Sequence, residues 1–332
     1  MTLSITSVSA APPGAPRRIR MPAGREFLLL VTLGLLVAGI SAGSRGAFWT
    51  SVNLNNLFVS SAITAIPAIG MTVVILTGGI DVSTGSMLGL VAAIGGTCFA
   101  AGWSLAATIP VFLATGAALG LVNALLIIQG RIPPVIATLG TLSIYRMLVF
   151  VVLGSNWLTQ IPPALTTIFV MDHLWFLPVV AVIALALLIV AALFLRHFRW
   201  GRHVYALGNN EEAARLAGIR PNRIKLTAYV GLGLLTGFAA LLTLGESPMV
   251  QTSTGSGFVL QVIAAVVLGG TELSGGRGGM LGTLLGTLIV EVVNDGIVLL
   301  HIQPFWSGVA LGGVILVAIG ASSRRHVMEN QA

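Results

Sequence analysis

The sequence predicts an all-α, polytopic integral membrane protein with about ten transmembrane helices, two loosely repeated halves and no soluble domain. The first observation is composition. Of 332 residues, 56% are hydrophobic and 8% charged, against about 25% charged in typical soluble domains. The second is the length of the charge-free runs, several of which approach the roughly 20 residues that a helix needs to cross a bilayer. Because backbone groups in lipid must be satisfied internally, runs of this length favour helices.

Apolar length, charge and Gly/Pro positions divide the chain into two tails and ten predicted spans. We expect cytoplasmic tails over 1–26 and 322–332 and a transmembrane domain over 27–321. The eighth span is too short to cross the bilayer as a regular helix, so it is either a half-helix or begins earlier, near Pro248. The predicted spans are 27–44, 57–77, 84–101, 106–128, 134–154, 174–195, 226–245, 258–270, 280–300 and 304–321.

The distribution of Lys and Arg predicts that both termini are cytoplasmic. The predicted outer loops contain only Arg45, whereas the inner loops contain most of the others, which is the positive-inside pattern. The net charge of +7 therefore reflects membrane orientation, and we expect no nucleic-acid partner. The inner set comprises Arg131, the seven Lys and Arg of 196–225, Arg277, Arg324 and Arg325.

Arg146 falls inside the fifth predicted span, where a charge at the bilayer centre costs about 3 kcal/mol. At 1.5 Å per residue it lies roughly 18 Å beyond Pro134, past the midplane. Its side chain either extends to the outer interface, which we favour, or faces a transport pathway.

The longest polar loop, 196–225, contains a predicted short helix that we assign to a partner-binding role. Asn209 or Asn210 would cap it, its acidic and basic residues suit the helix dipole, and Gly218 and Pro221 would end it. A small exposed apolar face would be formed by Ala213, Ala214, Leu216, Ala217 and Ile219. Ala214→Asp should therefore abolish co-purification of the partner while expression of the chain stays intact. The alternative is a solvated loop. The predicted site comprises Asn210, Glu211, Glu212, Ala213, Ala214, Arg215, Leu216 and Gly218.

A repeat relates 78–85 to 269–276, which share the pattern Gly-Gly-x-acid-x-Ser-x-Gly. Each follows an apolar run with the same predicted direction, which indicates a parallel repeat of the kind found in transporters. The glycines around Asp81 are typical of a broken helix. Asp81 either caps the third span, which we favour, or contributes to a substrate pathway.

Other polar residues within predicted spans are further pathway candidates. Glu291 and Asp295 lie in or near the outer end of the ninth span, and intramembrane acids are commonly functional. Asn123 would more commonly form an interhelical hydrogen bond. The predicted substrate pathway comprises Asp81, Ser83, Asn123, Thr138 and Asn294.

The sequence carries no pattern for nucleotide hydrolysis, catalysis or metal binding. Leu273–Arg277 reads Leu-Ser-Gly-Gly-Arg, like an ATPase signature. However, the phosphate-binding loop of an ATPase requires Gly-Lys-Ser/Thr, and the only lysine, Lys225, follows Arg-Ile. We therefore expect a non-enzyme without metal. Cys98 is the single cysteine, so the chain can form no internal disulfide.

Four segments resemble the permease subunits of bacterial ABC importers of ribose and related monosaccharides. The segments are 78–85, 132–141, 201–218 and 263–271. The chain departs from the usual pattern at Val259 and Gln261, where acidic residues are common, and at Met147, where glycine is common. Branched-chain amino acid permeases share the general plan but lack the Gly-Gly-Ile-Asp-x-Ser segment.

The resemblance implies a bacterial inner-membrane protein that binds no cofactor itself. Its expected partners are an ABC ATPase subunit that uses ATP, an extracytoplasmic sugar-binding protein, a second permease copy, identical or related, and membrane lipid. The Glu211–Gly218 helix would be the coupling helix that docks on the ATPase. The residues leave open an ion-coupled secondary transporter that uses Asp81, Glu291 or Asp295, and a non-transporting membrane scaffold.

Overall fold

The computed structural model describes residues 23–154, 156–303, 305–309 and 312–313. The predicted tail 322–332, residues 1–22 and most of the predicted span 304–321 lie outside them. The helices are α1 (Ala23–Gly43), α2 (Ser51–Leu76), α3 (Thr84–Ala100), α4 (Leu105–Ile128), α5 (Pro134–Leu153), α6 (Pro163–Thr166), α7 (Val179–His197), α8 (Arg199–Asn209), α9 (Glu211–Leu216), α10 (Pro221–Glu246), α11 (Phe258–Leu268) and α12 (Met280–Leu299). Two single-turn elements, Ala47–Trp49 and Thr167–Met171, and a hairpin of β1 (His173–Leu174) with β2 (Leu177–Pro178) complete the described elements.

The predicted all-α membrane architecture is confirmed. Within the described residues, seven helices are long and apolar enough to cross a membrane, and α3 and α11 are shorter apolar helices. The predicted half-helix corresponds to α11, which has 11 residues. The described residues do not establish ten spans, because only 305–309 and 312–313 of the tenth are described, and these are helical.

The bundle is built around α2 and α10. Seventeen residues of α2 are buried, whereas α1, α4, α5 and α7 have large exposed apolar side chains, as lipid-facing helices do. Helix α10 packs closely on α4 because glycines face each other: a Cβ built on Gly120 would lie 3.1 Å from the Gly233 Cα.

Several predicted boundaries move in the structure. Helix α1 begins at Ala23, within the predicted tail 1–26, and Arg25 donates to the Gly270 carbonyl at 2.9 Å. The polar loop is shorter than 196–225, since α7 continues through His197. Pro221 begins α10, the position where a missing N–H has no cost, and does not merely end the preceding helix.

Candidate functional site

The first repeated loop is held by a buried polar cluster around Asp81. The Ser83 backbone N–H and hydroxyl both donate to Asp81 Oδ1, at 2.8 and 2.6 Å. The Asn123 amide donates to Asp81 Oδ2 and to Ser83 Oγ, each at 2.8 Å. All three residues are fully buried. Asp81 thus accepts the backbone N–H of Ser83, the residue just before α3, in an Asx-type turn that leads into the helix.

Two more side chains extend this cluster across α4 and α5. Thr138 Oγ1 accepts the Val82 N–H at 3.2 Å, and the Tyr145 hydroxyl donates to the Leu119 carbonyl at 2.9 Å and approaches Asn123 Oδ1 at 3.3 Å. Four of the five predicted pathway residues, Asp81, Ser83, Asn123 and Thr138, therefore belong to one network that fixes the break between α2 and α3. Asn294 lies elsewhere.

The two repeated loops meet each other at the end of α8. The Gly276 N–H donates to the Leu76 carbonyl at 3.0 Å, and a Cβ built on Gly275 would lie 2.9 Å from the Gly78 nitrogen. Gly208 of α8 packs directly against the Leu76 carbonyl, just before the first loop, and against Gly276 of the second loop. Helix α8 therefore contacts the point where the two loops meet.

Helix α8 was missed by the sequence interpretation, which placed a single short helix in this loop. Val204 and Leu207 are buried on its inner face, and three-residue spacing of apolar side chains was the available signal. The Tyr205 hydroxyl donates to the Gly278 carbonyl at 3.1 Å. Burial raises the pKa of Tyr205, so the phenol keeps the proton that this bond needs.

Helix α9 has the ends that the sequence predicts. The Asn210 side chain accepts the Ala213 N–H at 2.9 Å. At the other end Gly218 has φ +82°, and the Gly218 and Ile219 N–H groups bond to the carbonyls of Arg215 and Ala214. This is a Schellman motif. A side-chain cap fixes the first end and backbone hydrogen bonds fix the second, so α9 is a short helix with defined ends.

Charged side chains connect α9 to α10. Glu211 Oε2 lies 2.7 Å from Lys225 Nζ, and Glu211 Oε1 lies 3.5 Å from the Arg215 guanidinium. These groups are partly exposed, and such pairs contribute little stability. Of the two pairs, the one between Glu211 and Lys225 joins α9 to α10, whereas Arg215 lies on α9 itself.

The predicted exposed apolar face of α9 needs one correction. Ala214 is only 4% exposed and faces the protein, because the cap at Asn210 and the left-handed turn at Gly218 set that side of the helix inward. The exposed apolar residues are Ala213, Ala217 and above all Leu216, which is 87% exposed. Glu212 and Gly218 are also exposed.

Arg146 corresponds to neither sequence interpretation alone. Its side chain extends from α5 to the segment that precedes α11. There its Nη1 donates to the carbonyls of Thr252 and Thr254 at 3.0 and 2.8 Å. The same segment lies against α3, where Gly85 and Gly89 face Gly255 and Thr254. Arg146 thus fixes the segment before the half-helix.

Asn294 lies at a cavity of about 390 Å³ at the end of the bundle opposite α8 and α9. The Ser60 hydroxyl donates to Glu246 Oε1 at 2.6 Å, and the Thr64 hydroxyl to Glu291 Oε1 at 2.7 Å. All five residues line this space, which we name the Glu246–Glu291 cavity. Sequence interpretation missed Ser60, Thr64 and Glu246; an acid ending a charge-free span was the available signal for Glu246.

Asp295 belongs to a different contact, since its Oδ2 accepts the Asn53 amide at 3.0 Å. Among the described residues, no group of three or more His, Cys, Asp or Glu could hold a metal ion.

Comparison with known proteins gives concordant matches. The family described as "branched-chain amino acid transport system / permease component" matches residues 53–319. The ribose import permease protein RbsC of Escherichia coli (strain K12) is 35% identical over 306 residues, covering 90% of this chain and 93% of that protein. RbsC of Bacillus subtilis (strain 168) is 37% identical over 294 residues, covering 88% and 90%.

A third relative is named for the import of a different solute. The autoinducer 2 import system permease protein LsrC of Yersinia pseudotuberculosis is 32% identical over 293 residues, covering 88% of this chain and 82% of that protein. No solved structure matches the chain.

Proposed function

Because the chain belongs to the family of branched-chain amino acid transport system permease components, we propose that it is the membrane-spanning subunit of an ABC importer that carries a monosaccharide, driven by a separate ATPase. The resemblance to ribose-type permeases is confirmed by relatives 31–37% identical over about nine-tenths of the chain. The protein is a transport component and not an enzyme.

A monosaccharide is favoured over a branched-chain amino acid by the relatives and by one motif. The relatives named above import ribose or autoinducer 2, and the first repeated loop reads Gly-Gly-Ile-Asp-Val-Ser. In the structure, the Ser83 hydroxyl of this motif donates to the Asp81 carboxyl, which also accepts from the Asn123 amide. Both polar side chains of the motif therefore have a hydrogen-bond partner, and this network is the structural observation that supports the assignment.

In this proposal α9 is the coupling helix and docks in a groove of the ATPase. The support is a helix with both ends fixed that presents Leu216 almost fully to the outside. Behind it, Gly208 connects the α8–α9 segment to both repeated loops. A displacement of α9 by the ATPase would therefore be transmitted through α8 to the two helix breaks.

The proposed orientation places α8, α9 and both termini in the cytoplasm and the Glu246–Glu291 cavity on the outer side of the bacterial inner membrane. The domain division, with tails at 1–26 and 322–332, a transmembrane domain over 27–321 and about ten spans, is retained here as a proposal. Labelling in a Cys98→Ala background tests orientation. Arg220→Cys should react only in inverted vesicles and Trp103→Cys only in intact cells; the reverse pattern would overturn it.

The importer would further contain an extracytoplasmic sugar-binding protein and a second permease copy, identical or related. Reconstitution of the complex in proteoliposomes tests the function. We expect D-ribose, D-xylose or D-galactose uptake that requires ATP and the binding protein and that survives an ionophore.

The ion-coupled alternative, with Asp81, Glu291 or Asp295 as the ion site, and the membrane scaffold are not favoured, since the relatives are import permease proteins. Uptake that persists without ATP and stops with the ionophore would overturn the ABC assignment in favour of the ion-coupled one.

A further inference from the structure

The Glu246–Glu291 cavity combines polar and apolar walls in the outer half of the bundle. Its polar wall carries the two carboxyls with their hydroxyl partners, together with Thr243, Gln261 and Asn294. Its apolar wall is formed by Ile63, Leu88, Phe258 and Ile297. The volume of about 390 Å³ falls within the range of small-molecule sites.

Asn294 lies next to one of the two acids. Its amide interacts with the Glu291 carboxyl, and both amide polar atoms are shielded from solvent. Asn294 therefore helps to position Glu291 at the wall of the cavity.

The residues that line the cavity restrict the class of ligand that it can bind. Each carboxyl holds one protein hydroxyl at Oε1, and a carboxylate accepts through both oxygens. None of the described residues that line the cavity is basic, so an anionic ligand would meet two acids without a counter-charge. A neutral sugar has hydroxyl donors on its rim and an apolar C–H face that suits Phe258.

We propose that the Glu246–Glu291 cavity is a binding site of the permease for a neutral, polyhydroxylated solute, and that it excludes phosphorylated sugars. The proposal rests on the proposed function. It adds a site within this chain that binds the solute after the binding protein has released it. Glu246 and Glu291 hold its hydroxyls, and Phe258 contacts its carbon face.

Protection of an introduced cysteine tests occupancy directly. Ser256 lines the cavity and is exposed, whereas Ser253 lies on the same segment, exposed and outside the cavity lining. In the complete importer with Cys98→Ala, we expect D-ribose, D-xylose or D-galactose to slow thiol labelling of Ser256→Cys. Ser253→Cys labelling should be unchanged, and D-ribose 5-phosphate should protect neither position.

Uptake by Glu291→Gln gives a second readout. The amide keeps the size of the side chain but replaces one carboxyl oxygen, which can accept a hydrogen bond from a hydroxyl, with an NH₂ group that can only donate. We expect the maximal uptake rate to fall about tenfold, with the half-saturating sugar concentration unchanged because the binding protein sets it. Protection of Ser256→Cys should also be lost. Glu26→Gln, at the opposite end of the bundle, is the matched control.

The outcomes separate this proposal from the proposed function. A wild-type complex that transports none of the three sugars overturns the proposed function. Normal transport without protection of Ser256→Cys, equal protection by D-ribose 5-phosphate, or full uptake by Glu291→Gln overturns the cavity assignment alone. If Glu291→Gln fails to assemble, the protection assay in the chain with both acids decides.

Discussion

The backbone nitrogen of Gly276 donates a 3.0 Å hydrogen bond to the carbonyl oxygen of Leu76. The two residues are 200 positions apart, and each lies at the break of one repeated helix pair. The carbonyl at the end of α2 has no partner within its own helix, and the second repeat supplies one. Motion of either break is thereby coupled to the other, and Gly208 brings α8 to the same point.

The first prediction concerns Gly208. A Cβ at this position would collide with the Leu76 carbonyl and the Gly276 nitrogen, which are backbone atoms that cannot rotate away. Gly208→Ala should lower the stability of the purified permease by about 1–3 kcal/mol, seen as a lower melting temperature in detergent, and should reduce sugar uptake. Gly231→Ala is the matched control, because nothing lies within 4 Å of its Cβ. If Gly208→Ala and Gly231→Ala have the same melting temperature and the same uptake, close packing at Gly208 is not required where the two repeated loops meet α8.

The second prediction separates two residues of α9. Leu216→Asp puts a charge on the exposed apolar residue, so it should abolish co-purification of the ATPase and leave the melting temperature of the permease unchanged. Ala214→Asp instead buries a charge within the chain, which is strongly destabilising, and should lower permease yield even without the ATPase. An ATPase that still co-purifies with Leu216→Asp would show that it docks elsewhere.

The sequence predicted most helices because apolar length and charge decide where a chain crosses a bilayer. It also predicted the cap at Asn210 and the turn at Gly218, since both follow from local backbone chemistry. It missed α8, whose apolar residues are too few to mark a span. The side of α9 that Ala214 occupies depends on packing and could not be predicted from spacing.

In the candidate site too, local features could be predicted from the sequence, whereas contacts between distant residues could not. The pattern around Asp81 indicated a helix break, and Asn123 an interhelical hydrogen bond, but their contact joins residues 42 positions apart. Likewise, Ser60 and Glu246 meet only because α2 and α10 pack together. Contacts of this kind depend on helix packing, which one sequence does not specify.

The third prediction concerns Asn123. Asn123→Leu removes the donor that Asp81 and Ser83 share, leaving a buried carboxyl with fewer partners. We expect a loss of about 1–3 kcal/mol, measured as a lower melting temperature, and a reduced maximal uptake rate that still depends on ATP. Asn222→Leu, at the exposed start of α10, should change neither. A normal melting temperature for Asn123→Leu would mean that the network does not stabilise the break.

The last prediction concerns Arg146, whose guanidinium holds the segment before α11 through the carbonyls of Thr252 and Thr254. Arg146→Gln is too short to reach both, so the segment should open away from α3. Thiol labelling of Ser253→Cys, in the Cys98→Ala background, should then become severalfold faster, and sugar uptake should fall. Arg146→Lys should give an intermediate labelling rate, because an ammonium lacks the fixed fork of guanidinium donors.

Arg45→Gln, an exposed arginine in the loop after α1, is the control for loss of a positive charge at this end of the bundle. It should label at the wild-type rate. If Arg146→Gln also labels at that rate, the two hydrogen bonds do not hold the segment. Arg146 would then serve only to extend toward the interface, and the segment must be kept in place by its glycine contacts with Gly85 and Gly89.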